Sequence, residues 1–200
     1  MKKRIAVIFG GKSVEHDVSI ITAHVPIIQS LEASGQFDVW PIYIAKDGAW
    51  YADKVMNDLA YFRQADMDGV LAGQKKIQLL FDNGLKIIWP GFRNKSVTID
   101  AVFPAMHGTF GEDGSLMGLL RMAGVAFVGC DMAASAIAMD KALTKQVLAA
   151  EQMGDVRLLA GEEVVDAHDV VPLVHQPLAK MRTEEPGPAS HQDALSLEHG

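Results

Sequence analysis

The chain opens with an unbroken apolar run, Ile5-Ala6-Val7-Ile8-Phe9, closed by Gly10 and Gly11. Such a run predicts a strand buried on both faces of a parallel sheet. Asp17 then stands as a helix N-cap, and Val18, Ile21, Val25, Ile28 and Leu31 follow at helical spacing until Ser34-Gly35 stops them. Pro26 lies inside that pattern and is expected to bend the helix or remove one of its hydrogen bonds. A second strand is expected over 37–45, followed by a turn at Lys46-Asp47-Gly48-Ala49 and a short segment around Trp50-Tyr51.

Residues 55–75 have weak periodicity and predict only a short helix. Two apolar runs, 77–81 and 85–89, flank Asp82-Asn83-Gly84, and the Asn-Gly pair suits the positive φ angles of a tight hairpin. A strand over 98–106 comes next, then a helix over 116–122 begun by Ser115, and a short strand over 125–128. Residues 131–152 are good helix formers, expected to split into two helices near Asp140, which caps the second. Strands alternating with helices imply an α/β fold with a doubly wound, mostly parallel sheet. Residues 162–165 and 170–174 read as strands, whereas 180–200 combine Pro186, Pro188 and many polar residues without a period and are expected to be poorly ordered.

Composition narrows the class. Two hundred residues, 49% hydrophobic and 22% charged, allow one compact domain and part of a second. A net charge of -7 disfavours a nucleic-acid surface, which needs a basic stripe to displace counterions from phosphates. The lone Cys130 has no intramolecular disulfide partner, so a reduced, cytoplasmic setting is expected. Met1-Lys2-Lys3-Arg4 resembles the charged start of a signal peptide, but the apolar run behind it is too short. No stretch approaches the roughly 20 apolar residues that span a bilayer, so no membrane partner is expected.

Three stretches are candidates for chemistry. Residues 10–17 join a strand end to a helix start, where doubly wound sheets bind ligands, yet the spacing matches neither a dinucleotide fingerprint nor a phosphate loop. Glu15 there either offers a carboxylate to a cationic group such as an ammonium, or, with Asp17, complements the helix dipole. Residues 106–115 hold three glycines, His107 and the acids Glu112 and Asp113 in another strand-to-helix loop, expected at the same sheet edge. His107 taken alone reads as a hydrogen-bonding residue, and Asp113 or Ser115 as a cap. Lys141 and Lys145 share a helical face that suits a polyanion such as a nucleotide phosphate, or else lie in solvent. The seven histidines form no metal-ligand spacing.

Residues 9–19 (Phe-Gly-Gly-Lys-Ser-Val-Glu-His-Asp-Val-Ser), 107–114 (His-Gly-Thr-Phe-Gly-Glu-Asp-Gly) and the stretch from Val128-Gly129-Cys130-Asp131 to Met139-Asp140-Lys141 resemble, in order and spacing, the N-terminal motifs of D-alanine-D-alanine ligases. The resemblance covers about residues 4–153 and extends to relatives making D-alanyl-D-lactate or D-alanyl-D-serine. It implies a Rossmann-like pre-ATP-grasp domain over 1–130, the start of an incomplete ATP-grasp lobe over 131–179, and a tail over 180–200. Such enzymes use ATP and magnesium to phosphorylate one D-alanine, whose acyl phosphate the amine of a second D-alanine attacks, for peptidoglycan synthesis.

By the same match, Glu15 is the catalytic-site residue that anchors the ammonium of the first D-alanine. Val18 and His107 contact that substrate, Lys141 contacts ATP phosphates, and a homodimer is usual. Gln176 stands where the family has a nucleotide-binding lysine, and the magnesium ligands have no counterpart in the chain. The expectation is therefore a truncated ligase inactive alone. Its rival is an inert relative that binds a small amino acid or a partner protein. An incomplete second lobe should also expose Ile137, Val147 and Leu148.

Overall fold

A computed structural model describes residues 2–82, 84–92 and 94–151. The expected strands at 162–165 and 170–174 and the tail lie outside the described residues. The central sheet has the order β3-β2-β1-β7, from β1 (Lys3–Gly10), β2 (Phe37–Ile44), β3 (Trp50–Tyr51) and β7 (Ala101–Pro104). β1 runs parallel to β2 and β7, whereas β3 folds back antiparallel at the edge. The apolar run of β1 is buried on both faces, as its composition predicts. Ile5, Val7 and Phe9 enter one core, while Ala6 and Ile8 enter the other.

The first core is covered by α1 (His16–Thr22), a π-helical turn (Ala23–Ile28), α2 (Gln29–Ala33), two 3-10 turns (Lys54–Asn57 and Leu59–Arg63) and α3 (Met67–Ala72). Pro26 sits within the π turn, and this is how the chain accommodates a residue without an N–H in mid-helix. The wider turn rotates less per residue than an α-helix, so the apolar face expected from the sequence is broken. Ile28 and Leu31 are buried, but Val18, Ile21 and Val25 face outward. Ser19, Ile20, Ala23 and His24 take the inner face instead, His24 bridging the carbonyls of Ile20 and Met56 at 2.6 and 2.9 Å. Asp17 is not the cap either: the helix begins at His16, and Asp17 in its first turn pairs with Lys46 at 3.2 Å.

The second core departs from a sheet with helices alone on both faces. α4 (Ser115–Met122) covers part of it, and a three-stranded antiparallel sheet of β4 (Gln78–Phe81), β5 (Leu85–Trp89) and β6 (Lys95–Ile99) covers the rest. β4 and β5 form the hairpin expected around Gly84. The strand expected over 98–106 is divided at Asp100, whose N–H donates to the Arg4 carbonyl while its carboxylate accepts from the Arg4 N–H at 2.8 Å. On either side of this knot, Ile99 pairs with Leu85 and Ala101 with Ile5, so the chain passes from one sheet to the other.

The strand expected over 125–128 shrinks to a single parallel bridge between Val102 and Phe127. α5 (Met132–Met139) and α6 (Lys141–Glu151) follow, α6 capped by the Asp140 carboxylate as anticipated and α5 by that of Asp131. Ile137, Val147 and Leu148 are half-buried, and Met132, Met139 and Leu143 are the exposed apolar side chains of these helices.

Candidate functional site

Two strand-to-helix loops meet at the C-terminal ends of β1 and β7. The first begins with Gly10 and Gly11 at φ +89° and +98°, a conformation that side chains resist and that turns the chain sharply off β1. A side chain at Gly10 would run into the Ile44 carbonyl and the Tyr43 ring. Gly10 N–H donates to Ser19 Oγ at 2.8 Å, and Ser19 Oγ donates to the Ala105 carbonyl at 2.7 Å, so one buried hydroxyl joins the two strand ends. His16, 2% exposed, places Nδ1 2.6 Å from the Gly11 carbonyl and Nε2 3.0 Å from the Tyr43 hydroxyl. Glu15, the residue before α1, is exposed at the mouth of this loop.

The second loop closes on itself. Glu112 accepts from the Gly108 N–H at 2.8 Å through one carboxylate oxygen and faces His107 Nδ1 at 3.2 Å through the other. A carboxylate can only accept, so Nδ1 carries the hydrogen, and Nε2 meets Thr22 Oγ1 on α1 at 2.9 Å. Asp113 accepts from Phe110 N–H at 2.8 Å and Ser115 N–H at 2.9 Å, which holds Phe110 at φ +68°. Burial raises the Asp113 carboxyl, but these hydrogen bonds outweigh it and leave it below its ordinary value. Gly114, at φ +87°, rather than a side-chain cap, precedes α4.

Ser13 fastens the loops together, donating from Oγ to the His107 carbonyl at 2.7 Å and accepting from the Glu15 N–H at 3.1 Å. A Cβ built on Gly108, at φ +69°, would lie 2.6 Å from Glu15 Oε2, so the carboxylate rests against bare backbone. Glu112 and Asp113 spend both oxygens on their own loop, whereas the Glu15 carboxylate makes no hydrogen bond or ion pair among the described residues. The arrangement therefore presents one free anionic group beside a braced imidazole.

Val18, 51% exposed, stands one helical turn beyond Glu15 on α1. Lys141 and Lys145 are exposed on α6, and no hydrogen bond or ion pair among the described residues joins Lys141 to either loop. Such cations suit a polyanion. For magnesium the fit fails: no group of three or more His, Cys, Asp or Glu among the described residues is arranged to hold a metal. A cavity of about 590 Å³ is lined by His16, Tyr43, Phe62 and Leu71 among others and reaches neither Glu15 nor His107. No helix among the described residues is long and apolar enough to cross a membrane.

A family profile described as D-ala D-ala ligase N-terminus matches residues 4–130, the segment that builds both loops. The chain belongs to the D-alanine-D-alanine ligase family. It is 38% identical over 157 residues to the D-alanine--D-alanine ligase of Oceanobacillus iheyensis, covering 74% of this chain and 40% of that relative. Among solved structures, the D-alanine-D-alanine ligase from Coxiella burnetii aligns with a TM-score of 0.62 and 36% identity, over 74% of this chain and 41% of the other. The VanG D-Ala:D-Ser ligase from Enterococcus faecalis aligns with a TM-score of 0.57 and 29% identity, over 76% of this chain and 43% of its own. The chain thus spans about two-fifths of the length of these family members.

Glu15 and His107, singled out in the sequence as ligase-family residues, do converge on one site. Thr22 and Ser13, which brace it, were missed. Thr22 carried a legible signal, standing seven residues and two helical turns after Glu15 and hence near the same face. Ser13 carried none, because its partner His107 is 94 residues away.

Proposed function

We propose that residues 1–130 form the subsite for the first amino-acid substrate of an ATP-dependent D-alanine-D-alanine ligase acting in peptidoglycan synthesis. The free Glu15 carboxylate beside the His107 loop carries this reading. Glu15 anchors the substrate ammonium, Val18 flanks it, and His107, held by Glu112 and Thr22, positions it. Holding the substrate in a fixed pose lowers the entropic part of the barrier to its activation. The end of the family match at residue 130 supports placing the start of an ATP-grasp lobe over 131–179, with the exposed Lys141 directed to ATP phosphates. ATP supplies the phosphoryl group of such a reaction, and the magnesium that accompanies it would need ligands beyond the described residues.

Gln176, where a nucleotide-binding lysine is expected, supports a second statement: this polypeptide by itself binds substrate without turnover. The setting is cytoplasmic and the assembly a homodimer, as the family resemblance implies. Titration of the chain with D-alanine, followed by NMR, tests the subsite: saturable binding lost in Glu15→Gln supports it, and equal binding by both proteins refutes it. Release of ADP that depends on both ATP and D-alanine would refute the absence of turnover.

A further inference from the structure

We propose that Tyr43 and His16 are positioning residues for Glu15, acting through the Gly10-Gly11 turn; this rests on the reading of Glu15 given above. Tyr43 grips the turn twice. Its ring atoms would lie 3.0 and 3.1 Å from a Cβ on Gly10, so only a glycine fits against it at φ +89°. Its hydroxyl reaches His16 Nε2 at 3.0 Å, and His16 Nδ1 reaches the Gly11 carbonyl at 2.6 Å. The Gly11 carbonyl only accepts, so Nδ1 carries the ring hydrogen, and the Tyr43 hydroxyl donates to Nε2. The Gly11 N–H completes the clamp by donating to the Ile44 carbonyl at 2.8 Å.

Tyr43 and Ile44, at the end of β2, make all of these contacts except the one from His16 Nδ1 to the Gly11 carbonyl. Tyr43 is 5% exposed and His16 2%, so neither has an alternative partner in water. His16 immediately follows Glu15 and is the first residue of α1. Fixing its ring from behind therefore fixes where the helix starts and which way the preceding residue projects. The carboxylate of Glu15, which no hydrogen bond among the described residues holds, is aimed by this backbone alone.

The test uses the 200-residue chain and measures NMR titrations with D-alanine and with L-alanine, alongside melting temperature. Tyr43→Phe deletes one hydroxyl, and His16→Asn retains a donor for the Gly11 carbonyl that His16→Leu lacks. Tyr43→Phe and His16→Leu are expected to weaken D-alanine binding about three- to tenfold, the equivalent of one lost hydrogen bond. They should also narrow the preference for the D over the L enantiomer, while His16→Asn restores most of both. An unchanged enantiomer preference in Tyr43→Phe and His16→Leu, with only the melting temperature lowered, would reduce the pair to a structural role and overturn the proposal. Binding by Glu15→Gln equal to the unaltered chain would instead overturn the reading of Glu15. Absence of saturable binding by the unaltered chain would overturn both.

Discussion

Ser13 Oγ lies 2.7 Å from the carbonyl oxygen of His107, a hydrogen bond between loops 94 residues apart in the chain. The same oxygen accepts from the Glu15 N–H, so a single hydroxyl sets the spacing between the two residues proposed to hold substrate. Ser13→Ala is expected to lower stability by about 0.5–1.5 kcal/mol, the net worth of such a bond, and to weaken D-alanine binding. Urea denaturation and the NMR titration check the two effects separately.

Gly108→Ala should have a larger local effect. The residue has φ +69°, which costs an L side chain about 1–2 kcal/mol, and its new Cβ would press on Glu15 Oε2. The exposed Glu15 can swing aside, so the fold survives with roughly that loss of stability while D-alanine binding is lost. Retention of full D-alanine affinity would show that the carboxylate does not work from the position seen here.

Asp113 predicts an acid-sensitive loop. Its folded carboxyl lies below the ordinary value of 3.8, so its contribution is fully present above that value and is lost as pH falls through the depressed one. In chain with Asp113→Asn, the melting temperature should show a shallower decline on acidification below about pH 4 than the unaltered protein. Identical acid limbs would remove Asp113 from the account.

Tyr43 predicts the opposite limb. Burial first, and then the charges of Asp17, Asp68 and Asp47, push its hydroxyl up to about 12 from 10.0. The raised value favours the neutral form in the folded state, so stability is intact below pH 10 and falls as pH rises from about 10 to about 12. Linkage sets the loss at about 2–3 kcal/mol, and Tyr43→Phe should abolish it. Alkaline denaturation of both proteins, with phenolate absorbance as the second signal, measures this.

The elements that the sequence revealed are those whose determinants are local. β1, the β4–β5 hairpin, the capping of α6 by Asp140 and the glycine-rich strand ends all depend on neighbours within a few residues. What it concealed depends on distant contacts. The division of the 98–106 segment follows from Asp100 meeting Arg4, and the inner face of α1 and the π turn after it is chosen by Ser19 and His24 reaching the carbonyls of Ala105 and Met56. An apolar count over Val18, Ile21 and Val25 points to the wrong face because the π turn at Pro26 interrupts the period that such a count assumes. Of the site, the glutamate and histidine were legible through motif spacing and Thr22 through its helical spacing from Glu15, while Ser13 and Tyr43 act across folds of the chain that no spacing encodes.

The hydroxyl of Ser19 has a kinetic meaning beyond its place in the core. Because it accepts from Gly10 at the end of β1 and donates to Ala105 just past β7, a displacement of Ser19 loosens both strand ends together. The two glycine-rich loops should therefore open as a single cooperative unit, their amides reporting one common opening free energy in hydrogen exchange.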